Sequence, residues 1–262
     1  MSFGEMLKEP HRQRELEDRA MHRASPHTAA RTAIVIPVFN HGRTLAEVVL
    51  KAGKIHDTVI VVDDGSEDLT TDMLHGLGAQ IIRHPVNLGK GAAILSGAGR
   101  ARELNMTHIV TMDADGQHDP DDFQQFFGMI EDYPDAIIVG KRNLKKAEAP
   151  RSSRIGREIS NFWLRVETGK KLGDAQSGFR AYPVYLFEAL KLKERGFAFE
   201  IEVLVKAAWA GIALKEVTIT AYYPAGKKRI SHFRLFKDNV KLSRLNAKLF
   251  FRSLIPIPHR KL

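Results

Sequence analysis

Two aspartates separated by a single alanine follow a short apolar run and are well suited to bind a cation. Asp113 and Asp115 end this run, and Gln117 adds a neutral oxygen two positions further on. In an extended segment residues i and i+2 point the same way, so both carboxylates can meet one hard divalent cation such as Mg²⁺ or Mn²⁺. A diphosphate would complete its coordination shell. The alternative is a solvated turn, with Asp119 and Pro120 starting the next helix.

Two further motifs have the composition of nucleotide contacts. Asp63 and Asp64 end a second apolar run, where a carboxylate can accept hydrogen bonds from a base or a ribose. Lys90 lies between two glycines at the predicted start of a helix, which would suit a phosphate. Its surroundings lack the spacing of a Walker loop. Each motif also has a structural interpretation, the first as a turn and the second as a tightly packed helix start.

A set of arginines and a polar turn occupy the middle of the chain. The turn is DAQSGFR, from Asp174 to Arg180, and it includes Ser177. Taken singly, arginines are usually solvated, but as a set near a diphosphate they are plausible anion binders. Residues 141–158 are predicted to form a mobile basic loop that enters a helix, with the length of many active-site lids. The arginines of this stretch are Arg142, Arg154 and Arg157.

Short β-branched runs alternating with helix-like segments must position these groups. The alternation predicts an α/β fold with a mostly parallel sheet covered by helices on both faces. Such sheets bind ligands at the carboxyl ends of their strands, where the polar motifs occur. The predicted strands are residues 32–38, 58–64, 79–84, 108–113 and 136–140.

The composition of the chain excludes several kinds of site and predicts where the protein is located. The 262 residues are 44% hydrophobic, enough for a core, and contain no cysteine, which excludes disulfides and thiolate metal sites. No apolar stretch is long enough to span a bilayer, and the first residues are charged where a signal peptide would be apolar. A cytoplasmic protein is therefore expected, associated peripherally with the cytoplasmic face of the membrane.

The basic charge is concentrated in the tail. The net charge is +9, and residues 225–262 hold eleven Lys or Arg against the single Asp238. Their spacing predicts a basic amphipathic helix lying in an anionic membrane interface. The alternative is a helix docked on the catalytic domain. Nucleic-acid binding would rest on this tail alone. We predict three segments: a polar arm at 1–31, the main domain at 32–224 and the tail at 225–262.

In order and spacing, the motifs IVIPVFN, VVDDGSED, NLGKGAAILSGAGRA, MDADGQHDP, GKR, DAQSGFRAY and FAFEIEVLVKAAWAGIALKEV resemble the inverting family 2 glycosyltransferases of GT-A fold. The most similar branch is the dolichyl or polyprenyl-phosphate mannosyl- and glucosyltransferases. The resemblance covers roughly residues 32–235. It implies a metal-dependent transfer of a hexose from a nucleotide diphosphate-sugar, such as GDP-mannose or UDP-glucose, to a polyprenyl phosphate.

The resemblance also implies roles for individual residues. A phosphate acceptor needs no strong base, whereas a hydroxyl acceptor would require a carboxylate such as Asp174. A sugar or glycolipid hydroxyl as acceptor, and a catalytically silent nucleotide-binding module recruited to membranes, are the alternatives. The chain departs from the family at His41, which replaces a glutamate, and at Arg157, which replaces a serine. By resemblance, Pro37, Phe39, Asp64, Lys90 and Asp113 bind the nucleotide-sugar; Asp113, Asp115 and Gln117 bind Mg²⁺ or Mn²⁺; Asp115, Arg142 and Asp174 serve catalysis; and Arg154, Arg157, Ser177 and Arg180 bind the acceptor phosphate.

Overall fold

In the part of the chain that the structure describes, seven strands form one sheet in the order β3-β2-β1-β4-β6-β5-β7. All neighbouring strands are parallel except at β6, which is antiparallel to both β4 and β5. The strands are β1 (Thr32–Val38), β2 (Val59–Asp63), β3 (Gln80–Arg83), β4 (His108–Thr111), β5 (Ile137–Arg142), β6 (Arg180–Pro183) and β7 (Leu214–Ile219).

Helices connect and cover these strands. A 3-10 turn, Pro120–Asp122, precedes the third helix, and Asp119 caps it by accepting a hydrogen bond from the Asp121 backbone, as predicted. No helix among the described residues is long and apolar enough to cross a membrane. The helices are α1 (Gly42–Ile55), α2 (Lys90–Glu103), α3 (Phe123–Asp132), α4 (Arg151–Thr168), α5 (Leu186–Ala189), α6 (Phe199–Trp209) and α7 (Leu235–Leu254).

The computed structural model assigns one compact unit to Arg31–Leu262. Most of the predicted arm at 1–31 lies outside the described residues, and so does the proposed boundary at 224/225. The structure describes residues 30–68, 70, 74, 76–144, 149–223, 235–255 and 262.

The five predicted strands are present, and in the central ones the β-branched residues are buried on both faces of the sheet, whereas the edge strand β3 is partly exposed. All seven residues of β1 are buried, and so are all five of β2. Helix α2 covers β1 closely, and its Gly97 lies so near Val35 that an added Cβ would be 2.4 Å from a Val35 methyl group. The small residues of α2 therefore set how closely the helix approaches the sheet.

Strand β6 was not predicted, and it determines the layout of the site. It has four residues, includes a proline and begins with an arginine, so it lacks the usual strand composition. Arg180, at its amino end, pairs with Thr111 of β4 and with Val139 of β5. Because β6 runs antiparallel, the segment before it lies at the carboxyl edge of its parallel neighbours.

The structure bears on two regional predictions, the loop at 141–158 and the helix of the tail. Residues 141–158 do not form one mobile loop, because β5 continues to Arg142 and α4 begins at Arg151; residues 145–148 lie outside the described chain. The tail does contain a helix, α7, but its apolar residues Leu245 and Leu249 are buried in the core. Part of α7 is therefore docked on the domain, while Phe251 and Leu254 near its end are 65% and 64% exposed.

The packing of α2 on β1 yields a prediction. Gly97→Ala should lower the free energy of unfolding by about 1–3 kcal/mol, because the new methyl group forces Val35 out of place. Gly99→Ala is the matched control, since a Cβ there meets open space and the substitution should stabilise the helix by roughly 0.5–1 kcal/mol. Urea unfolding of both variants measures this, and equal effects would contradict the packing argument.

Candidate active site

The carboxyl edge of the sheet gathers the predicted motifs. The loops after β1 and β2 are joined, because Asn40 accepts a hydrogen bond from the Glu67 backbone and the Ser66 hydroxyl accepts one from the Asn40 backbone. Thr44 of α1 donates to the carbonyl of Ala114, which holds the turn after β4 against the first helix. Three separate loops therefore form one rim.

A buried lysine ties this rim to α6. The Lys90 ammonium at the start of α2 lies 2.6 Å from a carboxylate oxygen of Asp113 and 2.8 Å from one of Glu200. Burial by itself would lower the pKa of Lys90, but the two carboxylates outweigh it and the net pKa is raised. The lysine is therefore charged at all physiological pH values.

The ion pair between Lys90 and Asp113 also affects the pKa of Asp113 and the packing of Gly178. Burial would raise the pKa of Asp113, but Lys90 and then His118 act in the opposite direction and the net pKa is lowered. An added Cβ on Gly178 would lie 2.6 Å from both the Asp113 carboxylate and the Lys90 ammonium. A larger residue there would require the ends of these two side chains to move. The segment before β6 thus passes directly beside the ion pair.

The Asp64 carboxylate makes its hydrogen bonds to groups of the protein itself. One carboxylate oxygen accepts from the Leu88 backbone and lies 2.7 Å from Nδ1 of His84, and the other accepts from the Gly89 backbone. The side chain is buried. We therefore propose that Asp64 holds the turn that presents Lys90, in place of the base or ribose contact that the resemblance implied.

The start of α2 is also tightly packed. An added Cβ would lie 2.6 Å from the Arg195 carbonyl at Gly89 and 2.5 Å from Phe199 at Gly91. The tight packing of Gly89 and Gly91 agrees with the structural interpretation of the Lys90 motif as a closely packed helix start. The two glycines contact the segment that leads into α6, while the Lys90 side chain faces the site.

Asp113, Asp115 and Gln117 lie in a turn and not in an extended segment, which corrects the geometry expected from the sequence. Strand β4 ends at Thr111, Gly116 has a φ of +71°, and Asp115 accepts a hydrogen bond from the Gln117 backbone. No group of three or more histidine or acidic side chains in the described part of the chain could by itself hold a metal. The hard oxygens of Asp113, Asp115 and Gln117 nevertheless suit Mg²⁺ or Mn²⁺ if ligand oxygens complete the shell. Asp115 is partly exposed, so such a ligand can reach it.

Arg142, at the end of β5, forms a second ion pair with Asp174. Nε and Nη2 of Arg142 donate to the two oxygens of Asp174 at 2.7 and 2.9 Å, and Nη1 donates to the Tyr223 hydroxyl. Asp174 is fully buried. Burial would lower the pKa of Arg142, but the bonds to Asp174 more than offset this and the net pKa is raised. Both carboxylate oxygens of Asp174 are therefore already engaged.

The proposed acceptor residues separate into two groups. Arg154 is exposed on the first turns of α4, and Arg157 donates to the Arg142 carbonyl at 3.4 Å. Arg180, by contrast, is fully buried and donates to the carbonyls of Ser177, Glu200 and Ala175. We propose that Arg180 braces the segment before β6, since its donors are used inside the protein. The Ser177 side chain is likewise buried.

The remaining nucleotide candidates lie at the end of β1. Pro37 is buried within the strand and Phe39, just past its end, is partly exposed. Sequence analysis assigned no role to His118, and the FAFEIE motif suggested only that Glu200 or Glu202 could lie at the site. The rings of His118 and Phe179 are tilted by 58°, with their centroids 5.5 Å apart. Burial lowers the pKa of His118 to about 4, so His118 is neutral near pH 7. Its place directly after the aspartate turn was the available signal.

The fold matches that of solved glycosyltransferases. The structure of glucosyl-3-phosphoglycerate synthase from Mycobacterium tuberculosis in complex with phosphoglyceric acid aligns with a TM-score of 0.66 at 20% identity, over 87% of this chain and 81% of that one. Its complex with Mn²⁺, uridine diphosphate and glucosyl-3-phosphoglycerate aligns with a TM-score of 0.64. The protein thus has the GT-A fold.

Its family is defined by the sequence. The model for glycosyl transferase family 2 matches residues 33–191, and the chain belongs to this family. An uncharacterised protein of Methanocaldococcus jannaschii is 34% identical over 201 residues, covering 72% of this chain and 81% of that protein. A UDP-N-acetylglucosamine–dolichyl-phosphate N-acetylglucosaminyltransferase of Methanococcus voltae is 28% identical, covering 72% and 85%. The polyprenol monophosphomannose synthase of Mycolicibacterium smegmatis is 27% identical, covering 72% and 77%.

The lysine bridge yields a second prediction. Lys90→Met should lower the free energy of unfolding at pH 7 by about 3 kcal/mol, the lower end of the range for a buried pair, because it leaves the buried Glu200 and the partly exposed Asp113 without their cation. The difference from the wild type should be full above pH ~4 and shrink as the pH falls toward 2, since the pKa of Asp113 is depressed only while Lys90 is present.

Lys54→Met, at an exposed position in the last turn of α1, is the control for the loss of one positive charge. Chemical unfolding at several pH values measures both variants. A Lys90→Met effect no larger than the control, or one independent of pH, would contradict the bridge.

Proposed function

We propose that the protein transfers a hexose from a nucleotide diphosphate-sugar, of the GDP-mannose or UDP-glucose type, to a polyprenyl or dolichyl phosphate at a membrane surface. The arrangement of charge at the carboxyl edge carries this proposal. The carboxylates of Asp113 and Asp115 follow β4, and Arg142, whose carbonyl accepts a hydrogen bond from Arg157, ends β5. A cation-binding half beside an anion-binding half suits a metal-diphosphate donor and a phosphate acceptor.

The names of the relatives support both substrates. The Methanococcus voltae and Mycolicibacterium smegmatis proteins are named for transfer to dolichyl phosphate and for synthesis of a polyprenol monophosphate sugar. The undecaprenyl-phosphate mannosyltransferase of Micrococcus luteus, 26% identical, is a third example. Complexes of the mycobacterial synthase contain Mn²⁺ or Mg²⁺ with uridine diphosphate, which supports a divalent cation here.

The chemistry follows from the groups at the rim. A cation held by Asp113, Asp115 and Gln117 supplies, when bound, charge neutralisation for the departing nucleoside diphosphate. Arg154 and Arg157 orient an oxygen of the acceptor phosphate behind the anomeric carbon. That oxygen forms the new bond as the bond to the diphosphate breaks, and the product is a phosphodiester with inverted configuration.

A hydroxyl acceptor is less consistent with this site. It would need a base, and Asp174 was the candidate for that task. Arg142 holds both Asp174 oxygens, so accepting a proton would disrupt a buried bidentate pair. An ionised phosphate needs no such base.

Turnover is tested directly with a panel of UDP- and GDP-sugars and Mn²⁺, following nucleotide release with and without polyprenyl phosphate. We expect release from one donor class that rises when the lipid phosphate is added. Tight nucleotide binding without release from any donor would instead identify a silent binding module.

The metal assignment gives a third prediction. Asp115→Asn should lower Mn²⁺ affinity, followed by electron paramagnetic resonance in the presence of nucleoside diphosphate, by on the order of 10–100-fold or more, and transfer should fall with it. Asp121→Asn removes one negative charge from the exposed 3-10 turn nearby and is the control. Unchanged Mn²⁺ binding in Asp115→Asn would end the assignment.

The acceptor arginines give a fourth prediction. Arg154→Ala and Arg157→Ala should each raise the KM for polyprenyl phosphate by about 10-fold or more, the size expected for a charge-assisted hydrogen bond, with little effect on the KM for the donor. Arg165→Ala, exposed on a later turn of α4, is the control. If only the KM for the donor rises, the two arginines belong to the diphosphate side.

A further inference from the structure

Helix α4 has two chemically different faces. Its inner face contacts the site: Asn161 donates to the Gly173 carbonyl and accepts from the Ala175 backbone, while Arg157 donates to the Arg142 carbonyl. Its opposite face carries an apolar row at spacings of 4, 3 and 4, which follows one side of a helix. The row consists of Ile155, Ile159, Phe162 and Val166, which are 50%, 51%, 58% and 39% exposed.

The apolar surface continues from α4 onto α7 through a chain of aromatic rings. Phe162 contacts Trp163, Trp163 contacts Phe250 across the two helices, and Phe250 contacts Phe251, with centroid distances of 5.6, 6.3 and 5.7 Å. Phe251 and Leu254 of α7 are 65% and 64% exposed, and Ile255 follows them. Seven of the fifteen exposed large hydrophobic residues described for this protein thus belong to one surface, which we call the α4–α7 face.

The two segments that carry the α4–α7 face are strongly basic in sequence. Residues 151–171 and 235–255 together hold eleven Lys or Arg against three Asp or Glu. One of those acids, Glu167, is buried, and burial raises its pKa to about 8. Exposed apolar side chains with half-buried aromatic rings and surrounding cations are the composition of a surface that enters the head-group region of an anionic bilayer.

We propose that the α4–α7 face docks the enzyme on an anionic lipid bilayer. This inference rests on the proposed function, because a lipid-linked acceptor requires the site to lie close to a membrane. A helix is about 10 Å across, so a bilayer touching the outer face of α4 brings phosphate head groups within reach of Arg154 and of the rim beyond. The exposed row of α4 thereby joins the exposed end of α7, whose Leu245 and Leu249 are buried against the domain.

Vesicle sedimentation of the full-length protein tests the face. The protein should pellet with phosphatidylcholine vesicles that contain phosphatidylglycerol, and less with phosphatidylcholine alone. Ile159→Ser combined with Phe162→Ser should weaken partition by on the order of 10-fold or more, since it removes apolar surface from the contact. The matched control is Leu50→Ser combined with Val86→Ser, at positions that are 48% and 59% exposed elsewhere on the domain, and it should bind as the wild type does.

Fluorescence gives a local readout, because the chain has only two tryptophans. In a Trp209→Phe protein, Trp163 alone reports, and its emission should shift to the blue when anionic vesicles are added. Equal loss of binding in both double variants, or no blue shift, would overturn the docking face. So would a dimer in sedimentation velocity without lipid that Ile159→Ser and Phe162→Ser dissociate, since the face would then bind a second copy.

Transfer to detergent-solubilised polyprenyl phosphate separates this inference from the proposed function. We expect the Ile159→Ser, Phe162→Ser protein to retain this activity within about 2-fold, while its transfer to acceptor in vesicles falls together with its binding. Absence of transfer by the wild type in detergent would refute the proposed function and leave the vesicle result to stand alone. Equal loss of activity in detergent and in vesicles would show that the substitutions damage the enzyme itself and would overturn the docking role.

Discussion

The ion pair of Lys90 with Asp113 and Glu200 is the interaction on which the site depends. It joins the start of α2, the turn after β4 and the first turn of α6, three segments far apart in the sequence. Other features serve it: Asp64 fixes the backbone before Lys90, and Gly178 leaves room beside the pair. Loss of a single buried partner in such a network costs several times more than loss of an ordinary surface ion pair.

The parallel part of the fold was predictable because it follows from local composition. β-branched runs buried on both faces leave few alternatives to strands, and their carboxyl ends identified Asp113 and Asp115. Strand β6 was not predictable in this way, since its register depends on pairing with β4 and β5 and on a buried arginine that its own residues do not signal. The role of Arg180 depended on that pairing, because an arginine in DAQSGFR has the same composition whether it faces a ligand or braces a loop.

The engaged state of Asp174 has a chemical consequence. Because Arg142 donates to both oxygens of Asp174, this buried carboxylate positions the Arg142 guanidinium and does not serve in proton transfer. His118, kept neutral by burial, adds no positive charge beside Asp113 near pH 7. A site organised in this manner favours an acceptor that arrives already ionised, and the exposed apolar face of α4 on the other side of the same helix is consistent with an acceptor carried on a lipid.

The choice between an ionised and a neutral acceptor is measured most directly with two lipids that differ in one group. The purified full-length protein, its preferred nucleotide-sugar and Mn²⁺ would be incubated in detergent with a polyprenyl phosphate or with the polyprenol of the same chain length, and radiolabelled sugar would be followed into the lipid phase. We expect label in the phosphate lipid, as an acid-labile phosphodiester, and none above background in the alcohol. Label entering the alcohol at a comparable rate would contradict the account.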